Sequence, residues 1–143
     1  MSKPFNVRVY ALLEHEGKVM IIHEPFQGQL IYKFPGGGLE FGEGTRECLL
    51  REFKEELNME VTIGDHFYTQ DFFQANAFDP KEQILLIYYT AKVTSDELSR
   101  MEVLDSDIEE ILWIPITELD ASKMALAADK VVVDLYKKKN FES

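Results

Sequence analysis

A concentration of glycines in the first third of the chain constrains its fold more than any other feature. Five glycines fall within the nine residues from Gly36 to Gly44, directly after Pro35. Neither a helix nor a strand is expected to persist through this run, because glycine loses more conformational entropy on ordering than any other residue. Glycine also lets the backbone approach a ligand closely and point amides and carbonyls toward it. The run therefore predicts a loop, either a merely flexible one or one that binds a ligand.

The residues after this glycine loop have the spacing of an amphipathic helix. We predict that the helix is capped at Thr45 and ends at Asn58, a residue that tolerates left-handed backbone geometry. Four apolar residues share one stripe at about 100° per residue, and we expect this stripe to pack on a sheet. It comprises Leu49, Leu50, Phe53 and Leu57.

A neighbouring face of the same helix carries three carboxylates, Glu52, Glu55 and Glu56, at i, i+3 and i+4. Their Cβ atoms are expected about 5–6 Å apart, so the like charges destabilise the helix slightly unless something compensates. A bound divalent cation would compensate, and magnesium prefers carboxylate oxygens and is often shared with substrate phosphates. Standing alone, such a pattern is better explained as a solvated helix face. The glycine loop favours the metal site, because a merely flexible loop does not need to enter a capped helix whose carboxylates point back toward it.

The rest of the chain predicts strands on both sides of this helix, the first two joined by a turn at Glu16-Gly17. Strands are predicted at 5–13, 18–23, 30–34, 61–73, 83–93 and 108–114, and a second helix at 123–139. This order predicts an α/β fold in which a mixed β-sheet lies between helices. The length of 143 residues is that of one domain, so we expect a single domain over residues 1–143.

Composition and charge exclude several classes of protein. Hydrophobic residues make up 45% of the chain, which excludes a disordered protein. The one cysteine, Cys48, excludes an internal disulfide framework and suits a reducing cytosol; we interpret it as a packing residue, since no histidine is placed to activate it. The net charge of −11 argues against a broad footprint on nucleic acid. The amino terminus has no apolar core of signal-peptide or membrane-spanning kind, so we expect a cytoplasmic protein that does not engage a membrane.

The stretch from Gly37 to Met59 resembles the Nudix box, Gly-x5-Glu-x7-Arg-Glu-U-x-Glu-Glu-x-Gly-U, in which U is a bulky apolar residue. Asn58 replaces the closing glycine, and asparagine is the next most tolerant residue of left-handed geometry. The hairpin before the box and the run from Trp113 to Leu119 are also similar to the family, so the resemblance covers most of the chain. Eight of the nine defined positions are met at the family spacing: Gly37, Glu43, Arg51, Glu52, Phe53, Glu55, Glu56 and Met59.

The resemblance implies a Nudix-like α/β/α sandwich that hydrolyses a diphosphate bond in a nucleoside diphosphate linked to another moiety. It also implies Mg²⁺ or Mn²⁺ as cofactor, with water attacking phosphorus. Elementary electrostatics is consistent with this, because a polyanionic substrate would be repelled by a protein of net charge −11 unless cations bridged the two.

The resemblance also implies roles by position. Glu52 and Glu56 match the main metal ligands of the family, with Glu55 supporting them and the Gly37 carbonyl as a further ligand. Glu52 is our first candidate for the base that takes a proton from water, although some family members place the base in a later loop. Asp107 lies where some members carry a metal-binding glutamate, and an acid in a solvated run is an equal alternative.

The remaining candidates position the loop or contact the substrate. Glu43 and Arg51 would pair to hold the loop against the helix, while an i,i+4 ion pair of Arg51 within the helix is the alternative. Lys33 and His23 flank the glycine loop in sequence and are candidates to meet a phosphate or leaving group, with a structural role as the alternative for the histidine. Gly36 and Gly38 are candidates to contact the substrate.

The expected partner is a small nucleoside diphosphate derivative. The sequence does not determine whether the chain also forms a homodimer. Residues 75–77 lack the proline or tyrosine that ADP-ribose and diadenosine polyphosphate hydrolases of this family often carry there, so the sequence does not specify the nucleotide. A catalytically silent Nudix-fold module that senses a nucleotide is the alternative function. The three intact glutamates favour the enzyme, because a sensor can lose them.

Overall fold

The computed structural model describes residues 5–26, 29–76 and 79–141. Within these residues the chain forms seven strands and three α-helices: β1 (Phe5–His15), β2 (Lys18–Phe26), β3 (Gln29–Lys33), β4 (Gly36–Gly38), α1 (Thr45–Leu57), β5 (Thr62–Thr69), β6 (Gln83–Lys92), α2 (Ser95–Ser99), β7 (Glu110–Pro115) and α3 (Ala127–Phe141).

The described strands form one mixed sheet in the order β3-β2-β1-β6-β5, with β4 also paired to β1 and β7 to β2. Strands β1 and β6 run parallel from the Phe5–Gln83 pair to the Glu14–Lys92 pair, and the other neighbours are antiparallel. This mixed sheet lies between helices, which confirms the predicted α/β fold.

Strand β1 builds both cores because its successive side chains point to opposite faces of the sheet. Val9, Ala11 and Leu13 are buried on the face covered by α1. Tyr10 and Leu12 are buried on the opposite face, which α3 covers. The two helices therefore pack on opposite faces of the same strand, and β1 positions both layers.

Most predicted elements occur with shifted ends. The β1–β2 turn is confirmed, with left-handed φ values of 51° at Glu16 and 78° at Gly17. Strand β5 ends at Thr69 rather than residue 73, and α3 begins at Ala127 after a short 3-10 turn over Ala121–Lys123. Helix α2, a single short turn, was not predicted. Part of the predicted loop between β5 and β6, residues 77–78, lies outside the described residues.

The expectation that no strand persists in the glycine run is wrong. Gly36–Gly38 form β4, which pairs antiparallel with Arg8–Tyr10 of β1. A Cβ at Gly36, where φ is 148°, would overlap the Val9 carbonyl oxygen. The pairing with a distant strand compensates for the weak local preference, and it needs glycine because the two backbones approach so closely.

The predicted cap of α1 and one residue of its stripe also need correction. Gly44 is the N-cap, and its backbone N–H donates to Glu47 Oε1 at 3.0 Å, while Thr45 is already helical. The Thr45 hydroxyl instead bonds the Tyr89 hydroxyl at 2.7 Å. Leu50 is 45% exposed, and Cys48 lies in the buried stripe with the other three predicted residues, as expected for a packing cysteine.

A buried carboxylate interrupts the core between the sheet and α3. Asp129, fully buried in the first turn of α3, accepts a hydrogen bond from the Tyr88 hydroxyl. Its second oxygen, Oδ2, has no hydrogen-bond partner among the described residues. Burial raises the pKa of Asp129 to about 7.

None of the described helices combines the length and the apolar character needed to cross a bilayer.

We expect the end of α1 to depend on the conformation of Asn58, whose φ of 50° and ψ of 45° are left-handed, as predicted. Asn58→Gly should be neutral or stabilising by at most about 1 kcal/mol, because relief of the steric cost competes with extra entropy of the unfolded chain. Asn58→Val should destabilise clearly, because a β-branched residue fits poorly at positive φ. Thermal melts measure both, with Glu60→Val, an exposed position two residues on, as control. A valine variant as stable as the wild type would contradict the prediction.

We expect Asp129 to make stability depend on pH. Its folded-state pKa of about 7 exceeds the unfolded value of about 3.9, so between these values the folded chain binds a proton that the unfolded chain lacks. Stability from this group is therefore lost as pH rises through that window. The free energy of unfolding of Asp129→Asn relative to wild type should increase by about 2 kcal/mol from about pH 5.5 to about pH 8.

Denaturant unfolding at the two pH values measures this change, since groups common to both proteins cancel in the difference. Asp134→Asn removes an exposed carboxylate from the same helix and is the matched control. A difference for Asp129→Asn that does not change with pH would contradict the prediction.

Candidate functional site

Arg51 joins the glycine loop to helix α1. Its Nε and Nη2 donate to both carboxylate oxygens of Glu43 at 2.9 and 2.7 Å, and Nη2 also donates to the Gly38 carbonyl at 3.0 Å. Its Nη1 donates to Glu52 at 3.0 Å and to Glu55 at 3.2 Å. The hydrogen bonds from Arg51 lower the pKa of Glu43 to about 2. Both alternatives considered for Arg51, the pair with Glu43 and the i,i+4 pair within the helix, therefore occur together.

The backbone of Gly37 lies directly against the Glu52 carboxylate. A Cβ at Gly37 would lie 2.5 Å from Oε1 and 2.6 Å from Oε2 of Glu52. Strand β4 holds Gly37 opposite Val9 of β1, so the sheet and not the loop alone sets this distance. The predicted contact of the glycine loop with the carboxylates is thus observed at Gly37.

Glu56 lies beside Glu52, and the two carboxylates are crowded. Burial, a hydrogen bond with Glu52 and repulsion from the Glu52 charge raise the pKa of Glu56 to about 8. Lys33 opposes this rise and Asp105 adds to it. Two carboxylates this close favour protonation of one of them when no cation balances their charge.

Glu55 is oriented differently from the other two helix carboxylates. Its side chain is 60% exposed and pairs with Arg51. Accordingly, over residues 5–26, 29–76 and 79–141 no group of three or more histidine, cysteine, aspartate or glutamate side chains is gathered to hold a metal ion. The donor set still fits a hard cation, since carboxylate and carbonyl oxygens are the ligands that magnesium prefers and the Gly37 backbone packs directly against the Glu52 carboxylate. The roles predicted for these residues stay predictions.

Cys48 packs under the loop from the helix side. Its Sγ lies 3.5 Å from the Gly38 carbonyl oxygen and 3.9 Å from that of Gly37. Burial, with the nearby Glu43 charge, raises the pKa of Cys48 to about 12. A thiol held protonated in this way is unreactive, in line with its interpretation as a packing residue.

Arg8 of β1, which was not predicted from the sequence, interacts electrostatically with the carboxylates. Burial opposes its charge, but Tyr10, Glu52 and Glu56 together raise the pKa of Arg8 above its ordinary value. The Arg8 Nε donates to the Tyr10 hydroxyl at 2.7 Å. One signal was available: Arg8 stands between two valines and is the one charged residue in the predicted strand 5–13.

Lys33 and a cavity border the same region. Lys33 Nζ pairs with Glu24 at 2.9 Å and lies 5.8 Å from the centre of the Tyr10 ring. A cavity of about 290 Å³ opens beside these side chains. Its lining comprises Asn6, Arg8, Tyr10, Glu24, Ile31, Lys33, Gln74, Ala75, Asn76, Ile84, Leu86 and Leu126.

The contacts described for His23 and Asp107 are with residues other than the helix carboxylates. His23 stacks on Tyr32, with ring centres 4.4 Å apart, which is the structural alternative considered for it. Asp107 is exposed, and its backbone N–H donates to Asp105 Oδ1 at 2.9 Å. Asp105, which was not predicted from the sequence, is the aspartate whose charge raises the pKa of Glu56. Its backbone N–H lies 3.4 Å from the Glu56 carbonyl oxygen. Both aspartates belong to one acidic run, so the sequence alone could not rank them.

Known proteins resemble this chain in sequence and in structure. It is 37% identical to the CTP pyrophosphohydrolase of Escherichia coli over 60 residues, 41% of this chain and 44% of that protein. It is 26% identical to the ADP-ribose pyrophosphatase of Methanocaldococcus jannaschii over 137 residues, 94% of this chain and 75% of that protein. The crystal structure of a MutT protein from Methanosarcina mazei superposes with a TM-score of 0.76 at 18% identity and covers 99% of both chains, which supports the fold.

The sequence match to the family extends well beyond the helix and the loop. The family model described as NUDIX domain matches residues 3–135, which include every strand and helix from β1 to β7. The chain therefore belongs to the Nudix hydrolase family.

Proposed function

We propose that the chain, as one catalytic domain, hydrolyses a diphosphate bond in a nucleoside diphosphate linked to another moiety, with Mg²⁺ or Mn²⁺ as cofactor. The observation that carries this proposal is the crowded Glu52–Glu56 pair against the Gly37 backbone. The two curated relatives described above are named for hydrolysis of nucleotide anhydrides. The small anionic substrate, the cytoplasmic location and the absence of a nucleic-acid partner are parts of the same proposal, motivated by the net charge of −11 and the single cysteine.

Glu52 and Glu56 would hold the cation, with the Gly37 carbonyl and Glu55 as further ligands. Glu55 reaches the site only by exchanging its ion pair with Arg51, which is exposed and therefore weak. Asp107 remains a candidate ligand from the loop before β7. When bound, the metal ion supplies charge stabilisation at the phosphoryl oxygens and lowers the pKa of an attacking water.

Arg51 and Glu43 would position the glycine loop and Glu52 without contacting the substrate. Arg51 holds the Gly38 carbonyl, Glu43 and Glu52 at once, so it fixes the loop relative to the carboxylate that is our candidate base. Glu52 would accept the proton of the attacking water.

The substrate would lie between the glycine loop and the cavity. Lys33, at the border of the cavity, is the candidate to contact a phosphate. Gly36 and Gly38 lie in β4 on either side of Gly37 and are candidates for backbone contacts with the substrate. His23 lies on β2, the strand next to Lys33 of β3, and would contact the substrate only on that side. These contacts offset the repulsion between a polyanion and the acidic chain.

We expect hydrolysis to require a divalent cation. A phosphate-release assay on a panel of nucleoside diphosphate derivatives should show turnover with Mg²⁺, none in EDTA, and recovery when Mg²⁺ is restored. Undiminished turnover after exhaustive chelation would contradict the mechanism. Tight nucleotide binding without turnover under every metal condition would instead identify the silent sensor module.

We expect Glu52→Gln and Glu56→Gln each to lower kcat by about a hundredfold or more, as removal of a metal ligand or base does. The amide keeps the shape of the side chain and loses its charge, so the variants should fold, and Glu56→Gln should also relieve the repulsion with Glu52. Glu60→Gln, an exposed carboxylate beyond the end of α1, is the matched control. Near-wild-type kcat in both folded variants would place the site elsewhere.

A further inference from the structure

Arg8 is held in a fixed position between two parts of the site. On β1 it lies opposite Gly38 of β4, and its Nη1 is 3.7 Å from the place where a Gly38 Cβ would stand. Its Nε donates to the Tyr10 hydroxyl, and the guanidinium carbon lies 5.6 Å from the centre of the Tyr10 ring. Because Nε is used in this bond, the two Nη groups of the fork are oriented together.

Arg8 lines the cavity and lies against a strand residue next to the carboxylate site. It lines the cavity together with Lys33, and its partner Gly38 adjoins Gly37, which packs on the Glu52 carboxylate. The Glu52 and Glu56 charges stabilise the charge of Arg8. Arg8 therefore lies between the β4 residues that adjoin the carboxylates and the cavity that could take a ligand.

The cavity has the lining of a binding site for an organic group. Its volume of about 290 Å³ is at the small end of ligand pockets, which suits a single nucleoside. Ile31, Ile84, Leu86 and Leu126 form apolar walls. The amides of Asn6 and Gln74 add polar groups: each nitrogen donates one bond, to Glu82 and to the Ala75 carbonyl, and retains a second N–H. A nucleoside needs both, since its base has apolar faces and a polar edge.

The charge on Arg8 has opposite effects on the two ligands of the proposed reaction. A cation bound at Glu52 and Glu56 would be repelled by the guanidinium beside them. A phosphate would be attracted, and the planar fork of arginine matches two phosphate oxygens. Arg8 therefore weakens binding of the metal ion alone and strengthens binding of the metal together with a phosphate ester.

We propose that Arg8 binds a phosphate oxygen of the substrate at the boundary between the carboxylates and the cavity, and that the nucleoside attached to that phosphate lies in the cavity. This inference rests on the proposed function. It adds a substrate contact in β1, outside the Nudix box, and it orients the substrate with its nucleoside toward Asn6 and Gln74 and its diphosphate toward α1.

Two binding measurements on Arg8→Gln test the inference. The non-hydrolysable α,β-methylene analogues of ADP and CDP, titrated calorimetrically in Mg²⁺, should bind at least about tenfold more weakly than to wild type, as expected for loss of a charged hydrogen bond. Mn²⁺ alone, followed by its paramagnetic resonance signal, should bind as tightly as to wild type or more tightly. A purely structural role would weaken both or neither.

Matched variants separate charge, shape and folding. Arg46→Gln removes an arginine that also lies over a tyrosine ring, at 5.0 Å from Tyr89, and should change neither affinity. Arg8→Lys keeps the charge without the fork, so it should return Mn²⁺ affinity to the wild-type value and recover analogue binding only in part. Thermal melts identify any loss of fold in these variants.

Unchanged analogue affinity in Arg8→Gln, or a parallel loss of Mn²⁺ and analogue binding in both Arg8 variants, would overturn the inference. Failure of wild type to bind either analogue in Mg²⁺ would overturn it as well. Turnover by wild type in the same preparations distinguishes these results from failure of the proposed function, because hydrolysis that persists leaves that function in place.

Discussion

The close approach of the Gly37 backbone to the Glu52 carboxylate is the constraint on which the rest of the site depends. A side chain at residue 37 would collide with Glu52, so loop and helix can pack at this distance only around glycine. Two interactions outside the site, one backbone pairing and one apolar core, maintain this distance together with Arg51. Strand β4 is held by β1, and α1 is held by Leu49 and Phe53 in the core beneath the same strand. Apolar packing and backbone pairing therefore position the face of α1 that carries the carboxylates.

The sequence predicted the parts of this arrangement that are local. Helix α1 and its left-handed end at Asn58 follow from spacing within one segment, and the pairing of Arg51 with Glu43 was implied by the resemblance to the Nudix box. The structure contains all three. Strand β4 could not be predicted, because a run of glycines forms a strand only when β1 supplies the partner. The same reason hid the cap, since Thr45 bonds Tyr89 of β6, forty-four residues away in sequence, rather than its own helix.

Site residues outside the box were missed for a related reason. Arg8 is placed near the site by its pairing with β4, and Asp105 by its position beside the end of α1. No rule of sequence spacing connects these segments. Leu50 fitted the helical stripe by angle yet lies at its edge, where the sheet does not reach, and Cys48 occupies the buried place. Periodicity identifies a face of a helix, whereas the width of the surface that covers it is a property of the assembled fold.

Charge balance at the cavity makes anion binding conditional. Burial opposes the charge of Lys33 and of Arg8, and each keeps its charge through anionic or polar neighbours, Glu24 for Lys33 and the α1 carboxylates for Arg8. Lys33 also acts on Glu56 and on the buried Asp129, so its charge is shared among groups on both faces of the sheet. Where these carboxylates are ionised, they offset part of the positive charge of Arg8 and so weaken its attraction for a phosphate. A divalent cation at Glu52 and Glu56 would remove that balance and leave the positive charge of Arg8 and Lys33 directed at the cavity, so metal and phosphate would bind each more tightly in the presence of the other.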